Sequence, residues 1–341
     1  MIRFLLVLLL PAMVQAETIR VATFNTELSR DGPGLLLRDI TRGDPQVADV
    51  LRVLVATKPD IIALQSIDWD LEGRALSALI RALDDKGLLY PHSYAGQPNS
   101  GMETNADLNA DGALGGPADA QGWGRFTGQG GLAVLSRYPI RDAEVRSFSD
   151  LLWSELPGAT MPQKDGAAFL SPEAIAIQRL SSTAHWVVPV DAPGGRLDVM
   201  TFHATSPVFD GPEDRNGLRN ADEIRFWSLL LDGVLGPAPN RRFVIAGDAN
   251  NDPDLGEGLK PAIRSLLSDP RLQDPQPRSP DGSTTTVTWK GVGDLRVDYV
   301  LPSADWTVEG AGVYWPGDGP EEPAASASRH RLVWVDLKSD P

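Results

Sequence analysis

The 341-residue chain carries 31 lysines and arginines against 46 aspartates and glutamates, a formal net charge of −15 at pH 7, with no cysteine and 42% hydrophobic residues. Without sulfhydryls it is not a disulfide scaffold, a thiolate-ligated zinc or iron–sulfur protein, or a thiol enzyme. The apolar content is too high for disorder throughout, and the acidic field disfavours non-specific clamping of nucleic acid.

Residues 1–16 read as a secretory leader: Arg3 is the basic start, Phe4–Leu10 the short apolar core, and Val14 and Ala16 the small residues before a cleavage site. The run is too short to span a bilayer. The expectation is export to the periplasm or medium after cleavage behind Ala16, a mature chain with no transmembrane segment, and residues 17–341 as one domain, acting as a monomer. Downstream, short apolar runs flanked by Gly, Pro or Asp predict strands over Ile19–Phe24, Ile61–Leu64, Leu132–Leu135, Arg196–Phe202, Phe243–Ala246, Val297–Leu301 and Leu332–Leu337. Helices are predicted over Val47–Thr57, Glu72–Lys86 and Asn220–Leu235, the last with Ile224, Trp227, Leu230 and Leu231 at helical spacing. Asp84–Arg125 is a long Gly-rich loop, and neither an internal repeat nor a linker between two composition regimes is visible.

Polar residues recur at the ends of these strands. Asn25 and Glu27 follow the first strand two apart, and Asp248 and Asn250 follow Phe243–Ala246 in the same way. In extended chain such pairs point to one side and converge on one ligand. A carboxylate with an amide oxygen suits a hard cation such as Mg²⁺, and the amide also donates to a phosphate oxygen. Asp298 stands in an otherwise apolar strand, and His330 immediately precedes the last one. A buried carboxylate needs a partner, and an Asp that holds an imidazole fixes its tautomer and favours its charged form. His203 ends the strand Arg196–Phe202, whereas His92 and His185 lack such company and read as structural imidazoles.

The order of Ala-Thr-Phe-Asn at residues 22–25, Leu64-Gln65, Leu-Ser-Arg-Tyr-Pro-Ile at 135–140, His203, Gly-Asp-Ala-Asn at 247–250, Arg-Val-Asp-Tyr-Val at 296–300 and a terminal His resembles the endonuclease/exonuclease/phosphatase superfamily. Within it the chain looks most like secreted bacterial members that carry the stretch seen here as Pro207–Gly217. The resemblance implies an α/β four-layer sandwich, two mixed β-sheets packed face to face with helices outside. It implies a secreted phosphoester hydrolase of phosphodiesterase, nuclease or phosphatase type, with a phosphoester substrate. By the same resemblance, Asn25, Asp248 and Asn250 match metal and phosphate positions, with Glu27 beside them as a further metal candidate. His203 matches a contact to the scissile phosphate, and Asp298 and His330 match the Asp–His pair.

Two positions depart from that family pattern. Ser66 stands where the second strand normally supplies the main metal glutamate, and the terminal Ser-Asp-His reads Ser328-Arg329-His330. Two unit charges ~4 Å apart interact by about 4 kcal/mol at an effective dielectric of 20, so an arginine in place of the aspartate weakens any Mg²⁺ site. Three readings stay open. Glu27, Asp248 and Asn25 hold a displaced divalent cation; or the Arg329 guanidinium takes over its role toward phosphate; or the member is catalytically weak and binds only a phosphoester or a protein partner. Separately, Asp107, Asn109 and Asp111 ahead of Gly112 open like a calcium loop, without the glutamate that would complete one. Residues Pro207–Gly217 follow His203 and are expected to border the site as a rim loop.

Overall fold

The computed structural model describes residues 17–315 and 324–338, so the leader predicted over residues 1–16 lies outside the described residues. The first half runs β1 (Thr18–Leu28), α1 (Leu35–Arg42), α2 (Pro45–Thr57), β2 (Ile61–Ile67), α3 (Arg74–Asp84), β3 (His92–Tyr94), β4 (Gly131–Ser136) and β5 (Arg146–Ser147). A two-residue ladder of β6 (Gln163–Lys164) with β7 (Ala167–Ala168) and the short α4 (Pro172–Ile177) lead to β8 (His185–Ala192), β9 (Gly195–His203), α5 (Arg215–Leu231) and β10 (Phe243–Asp248). Then follow α6 (Lys260–Leu267), the hairpin of β11 (Val287–Trp289) and β12 (Gly293–Leu295), β13 (Asp298–Pro302), β14 (Thr307–Val313), α7 (Ala324–Ala327) and β15 (Val333–Lys338).

Two mixed sheets result. One has the order β14-β15-β1-β2-β4-β3 and the other β13-β10-β9-β8-β5. Each contains one parallel pair, β1 with β2 and β9 with β10, flanked by antiparallel neighbours. Alternation along the strands assigns the faces. Ile19, Val21, Ile61 and Ala63 of the first sheet bury against Val188, Val199, Val244 and Val300 of the second. Their neighbours Ala22, Phe24, Ile62 and Leu64 turn outward onto Leu36, Val50, Leu54 and Leu79 of α1–α3. On the far side Met200, Phe202 and Ile245 pack on Ile224, Trp227 and Leu230 of α5 and Ile263 of α6. The layers are helix, sheet, sheet, helix, as the resemblance implied.

Every strand and helix predicted from the sequence is present, with shifted ends. Helix α2 starts at Pro45 because Asp44 caps it, its carboxylate accepting from Gln46 N at 3.0 Å and Val47 N at 3.2 Å. Helix α5 begins at Arg215, five residues before the predicted start, so part of the expected rim loop is helical. It stops at Leu231 because Gly233 turns left-handed at φ 74. Strand β8 carried no prediction, since Pro189 lacks the donor a central strand needs. It is tolerated because its outer neighbour β5 spans only Arg146–Ser147.

Candidate functional site

Strand register assembles the site. Asp248, the last residue of β10, lies opposite His203 on β9 and opposite Asp298 on β13, so three polar groups meet at one end of the second sheet. Gly247 is required there. A Cβ on it would lie 2.3 Å from the Phe202 carbonyl oxygen, so any larger residue would force the two strands apart. From the first sheet, β1 delivers Asn25 and Glu27. The chain after α7 delivers Arg329 and His330.

The polar groups interlock. His330 Nδ1 lies 2.9 Å from Asp298 Oδ2 and 3.2 Å from Oδ1, and its Nε2 lies 3.5 Å from Asn25 Nδ2. Asn25 Nδ2 donates to Asp248 Oδ2 at 2.9 Å, and His203 Nε2 stands 3.4 Å from that same oxygen. Asn250, at φ 48, donates its backbone N–H to Asp248 Oδ1 at 2.8 Å and its side-chain amide to Ala204 O at 2.9 Å. Asp298 itself is steadied by Thr286 Oγ1, which accepts its backbone N–H at 3.1 Å.

This crowding separates the two histidines. Burial opposes the imidazolium of His330, but Asp298 and then Asp248 outweigh it, and its pKa is pushed up to about 9. His203 moves the other way: burial lowers it, Asp248 only partly compensates, and His330 adds repulsion. Its Nδ1 is buried with no hydrogen-bond partner among the described residues. Burial, and next the Asp298 carboxylate, raise Asp248 above the usual carboxylate range. His330 is therefore charged at neutral pH and His203 neutral.

The first-sheet side of the cleft is built differently. Glu27 accepts from Arg329 Nε at 2.6 Å on Oε1, with Arg329 Nη2 on the same oxygen. Its Oε2 takes Arg329 N at 2.8 Å and Ser328 Oγ at 3.3 Å. Burial favours the neutral form of Glu27, yet the Arg329 hydrogen bonds prevail and hold its carboxyl below the usual range. Ser66, at φ 54, opens onto the same cleft.

Members of the superfamily usually use a divalent metal, and the donor set can be tested for one. Asp248, Asp298 and His330 are the only group of three or more His, Asp or Glu ligands that converge among the described residues, within 4.8 Å. In that group each member already has a partner inside the protein: His330 Nδ1 meets Asp298 Oδ2 at 2.9 Å, and Asp248 Oδ2 accepts from Asn25 Nδ2 at 2.9 Å, so an ion held there would compete with these bonds. The other candidate set, Asn25, Glu27 and Asp248, is engaged on nearly every oxygen. Asn25 Oδ1 accepts Glu27 N at 3.3 Å, and both Glu27 oxygens are taken by Arg329 and Ser328. A dication ~4 Å from a guanidinium would be repelled by about 2 kcal/mol in water-like surroundings and about 8 kcal/mol at an effective dielectric of 20.

Nothing found here supports a calcium ion in the Asp107–Gly112 loop. Asp107 spends its oxygens on Asp111 N at 3.2 Å and Gly112 N at 2.8 Å, while Asn109 Nδ2 donates to Asp111 Oδ2 at 2.8 Å. These bonds are Asx turns that close the loop on its own backbone. His185 is the structural imidazole expected, with Nδ1 2.7 Å from Ser181 Oγ and Nε2 2.9 Å from Glu223 O; burial drives its pKa down to about 3.

The site residues open onto a cleft of about 560 Å³. Of the nine described non-glycine residues at positive φ, four (Glu27, Ser66, Asn250 and Phe209) line it, so backbone strain gathers there. Sequence reasoning missed Trp289, whose ring stands edge-on to His330 at 5.7 Å, and Glu223, which accepts from Ser182 N and Thr205 N at 2.6 Å each and so braces the segment after His203. Glu223 had a signal, being an acid beside the apolar stripe of α5. Trp289 had none, because its hairpin meets the His330 segment through tertiary pairing, the Val287–His330 bridge and the bond from Thr288 N to Arg329 O.

Two facing mixed sheets with Asp, Asn and His at one end make this an α/β sandwich of the kind the resemblance implied. The sequence profile of the Endonuclease/Exonuclease/phosphatase family matches residues 22–330, and the chain belongs to that family. Among solved structures it is similar to an endonuclease/exonuclease/phosphatase from Beutenbergia cavernae DSM 12333, at 20% identity and a TM-score of 0.58 over 94% of this chain and 72% of that one. A family protein from Bacteroides thetaiotaomicron matches at 14% identity and TM-score 0.54, over 96% of this chain and 100% of that one. Sphingomyelinase C from Streptomyces griseocarneus matches at 18% and 0.50, over 95% and 100%. No sequence among curated proteins matches the chain. At these identities the likeness is one of fold.

Proposed function

We propose that this chain is an exported phosphoester hydrolase in which His330 and His203 handle the protons and Arg329 supplies positive charge to the phosphate. The observation that carries the reading is the pair of histidines set on either side of Asp248 and shifted in opposite directions, one up to about 9 and one below its ordinary value. Such separation is how a site obtains an acid and a base at one pH. Water attacks phosphorus as neutral His203 accepts its proton. The bond to the leaving oxygen breaks, and charged His330, held by Asp298, protonates that oxygen. Asn250, whose side-chain oxygen has no described partner bond, and the exposed Arg329 guanidinium orient and neutralise the phosphoryl oxygens. Export rests on the leader-like residues 1–16; among the described residues no helix is long and apolar enough to cross a membrane.

The test is hydrolysis of a bis-phosphodiester in chelator. Turnover that survives chelation and disappears in His330→Ala supports the guanidinium site. Chelator-sensitive turnover restores the reading of a displaced ion at Asn25, Glu27 and Asp248. The double variant Ser66→Glu with Arg329→Asp is expected to gain divalent dependence. A protein inactive on every phosphoester yet able to bind inorganic phosphate is the second reading, favoured by the Glu27–Arg329 pair that occupies the cation side.

A further inference from the structure

Helix α5 buries two opposite kinds of side chain. Ile224, Trp227 and Leu230 pack into the core, yet Asn220, Asp222 and Glu223 of the same helix are at most 1% exposed. A buried amide or carboxylate costs stability unless its bonds are made, and an apolar face would pack without that cost. What these three polar groups hold is therefore informative.

Two of them hold the chain around the strand ends of the site. Glu223 Oε2 accepts Thr205 N at 2.6 Å, two residues past His203. Its Oε1 accepts Ser182 N at 2.6 Å and Ser182 Oγ at 2.8 Å, and that hydroxyl lies 3.4 Å from the His203 carbonyl oxygen. The β9–β10 ladder ends at the His203–Asp248 pair. Just past it, Asn220 bridges the two departing chains. Its Nδ2 donates to Thr205 O at 2.8 Å and to Ala249 O at 2.7 Å, and its Oδ1 accepts from Asn251 Nδ2 at 2.9 Å. Thr205 is thus gripped at both its N–H and its carbonyl, and Asn250, at φ 48, is bracketed by two held neighbours. Asp222 points elsewhere. It accepts Trp153 Nε1 at 2.8 Å and Thr160 N at 2.7 Å, on a segment that does not line the cleft.

We propose that Asn220 and Glu223 are positioning residues, through which α5 sets the separation of His203 from Asn250 and so the place where attacking water and phosphate meet. Neither side chain touches substrate; both act through the backbone of Thr205 and Ala249 and through Ser182. The inference rests on the hydrolase reading above and deepens it.

The full chain would be assayed on bis(p-nitrophenyl) phosphate, titrated calorimetrically with inorganic phosphate, and its four histidine rings followed by NMR. Asn220→Ala and Glu223→Gln are expected to lower kcat by about a hundredfold, the effect of misplacing a reacting group by ~1 Å, and to displace the His203 ring signals. Asn220→Ala is also expected to weaken phosphate binding about threefold, since Asn250 loses its brackets. Glu223→Ala, with no acceptor left, is expected to fall below Glu223→Gln. The control is Asp222→Asn, equally buried on the same helix. It is expected to lower the melting temperature as much, yet to keep kcat within about threefold and the His203 signals in place. Should the clamp variants fail to fold, Ser182→Ala removes one hydroxyl and keeps the backbone bond; it is expected to move the same signals and lower kcat about threefold. Equal kcat losses in Asp222→Asn and the clamp variants, or unmoved His203 signals in every folded clamp variant, overturn the proposal. A wild-type chain without turnover defeats the hydrolase reading alone, because the ring signals still decide the clamp. Turnover with unmoved rings defeats the clamp alone.

Discussion

The two sides of the cleft solve the same electrostatic problem with different chemistry. On the second-sheet side, His203, Asp248, Asn250 and Asp298 meet at one end of the sheet and are nearly all buried. There, low polarity amplifies each charge and shifts the histidines apart. On the first-sheet side, Ser66 and Arg329 stand where the resemblance puts metal carboxylates, a correspondence we propose, and Glu27 is committed to a guanidinium that is 65% exposed. Proton handling depends on burial and so sits deep, whereas phosphate charge can be met by a flexible cation at the lip. The lesson is that half of a composite site can be rebuilt without disturbing the other half, because different sheets supply them.

The sharpest way to break this comparison is on the buried side. Asp298→Asn removes the charge that holds His330 and is expected to cut kcat by about 10²–10⁴-fold with little change in KM. An equal change in KM would assign Asp298 to binding. Next in size is the pH profile of kcat/KM. Since His203 must be neutral, and its pKa is lowered, the acid limb should fall below 6.5. His330 must be charged, so the alkaline limb should fall near 9, tenfold per unit beyond it. A rate that keeps climbing above 9 would point to a hydroxide nucleophile instead. The same raised pKa contributes stability that is complete below about 6.5 and is lost as pH rises through about 9, so the melting temperature should decline over that window. The smallest effect is expected on the exposed side. Glu27→Gln should change stability by at most about 1 kcal/mol, because exposed pairs are weak. Calorimetric titration with inorganic phosphate should instead show severalfold tighter binding as Arg329 is released. A large loss of stability would make the pair a structural element.

Much of this site was legible in the chain. Asn25, His203, Asp248, Asn250, Asp298 and His330 announce themselves because strand ends with paired polar residues are rare in apolar surroundings, and the structure brings all six together. The Asp107–Gly112 loop is ambiguous in the chain for a physical reason. A calcium loop and a self-satisfied Asx turn share residues and differ only in where their oxygens point. Trp289 was silent, since a lone aromatic in a short polar hairpin carries no period.

By itself the sequence determined the alternation of strands and helices, the order of the polar strand ends and the two substitutions, because local periodicity and residue chemistry are one-dimensional properties. Only the tertiary structure decided that Asp248 sits between His203 and Asp298 and that Arg329 is bound by Glu27. Strand register and loop packing over separations of hundreds of residues set those distances, and with them every shifted charge at the site.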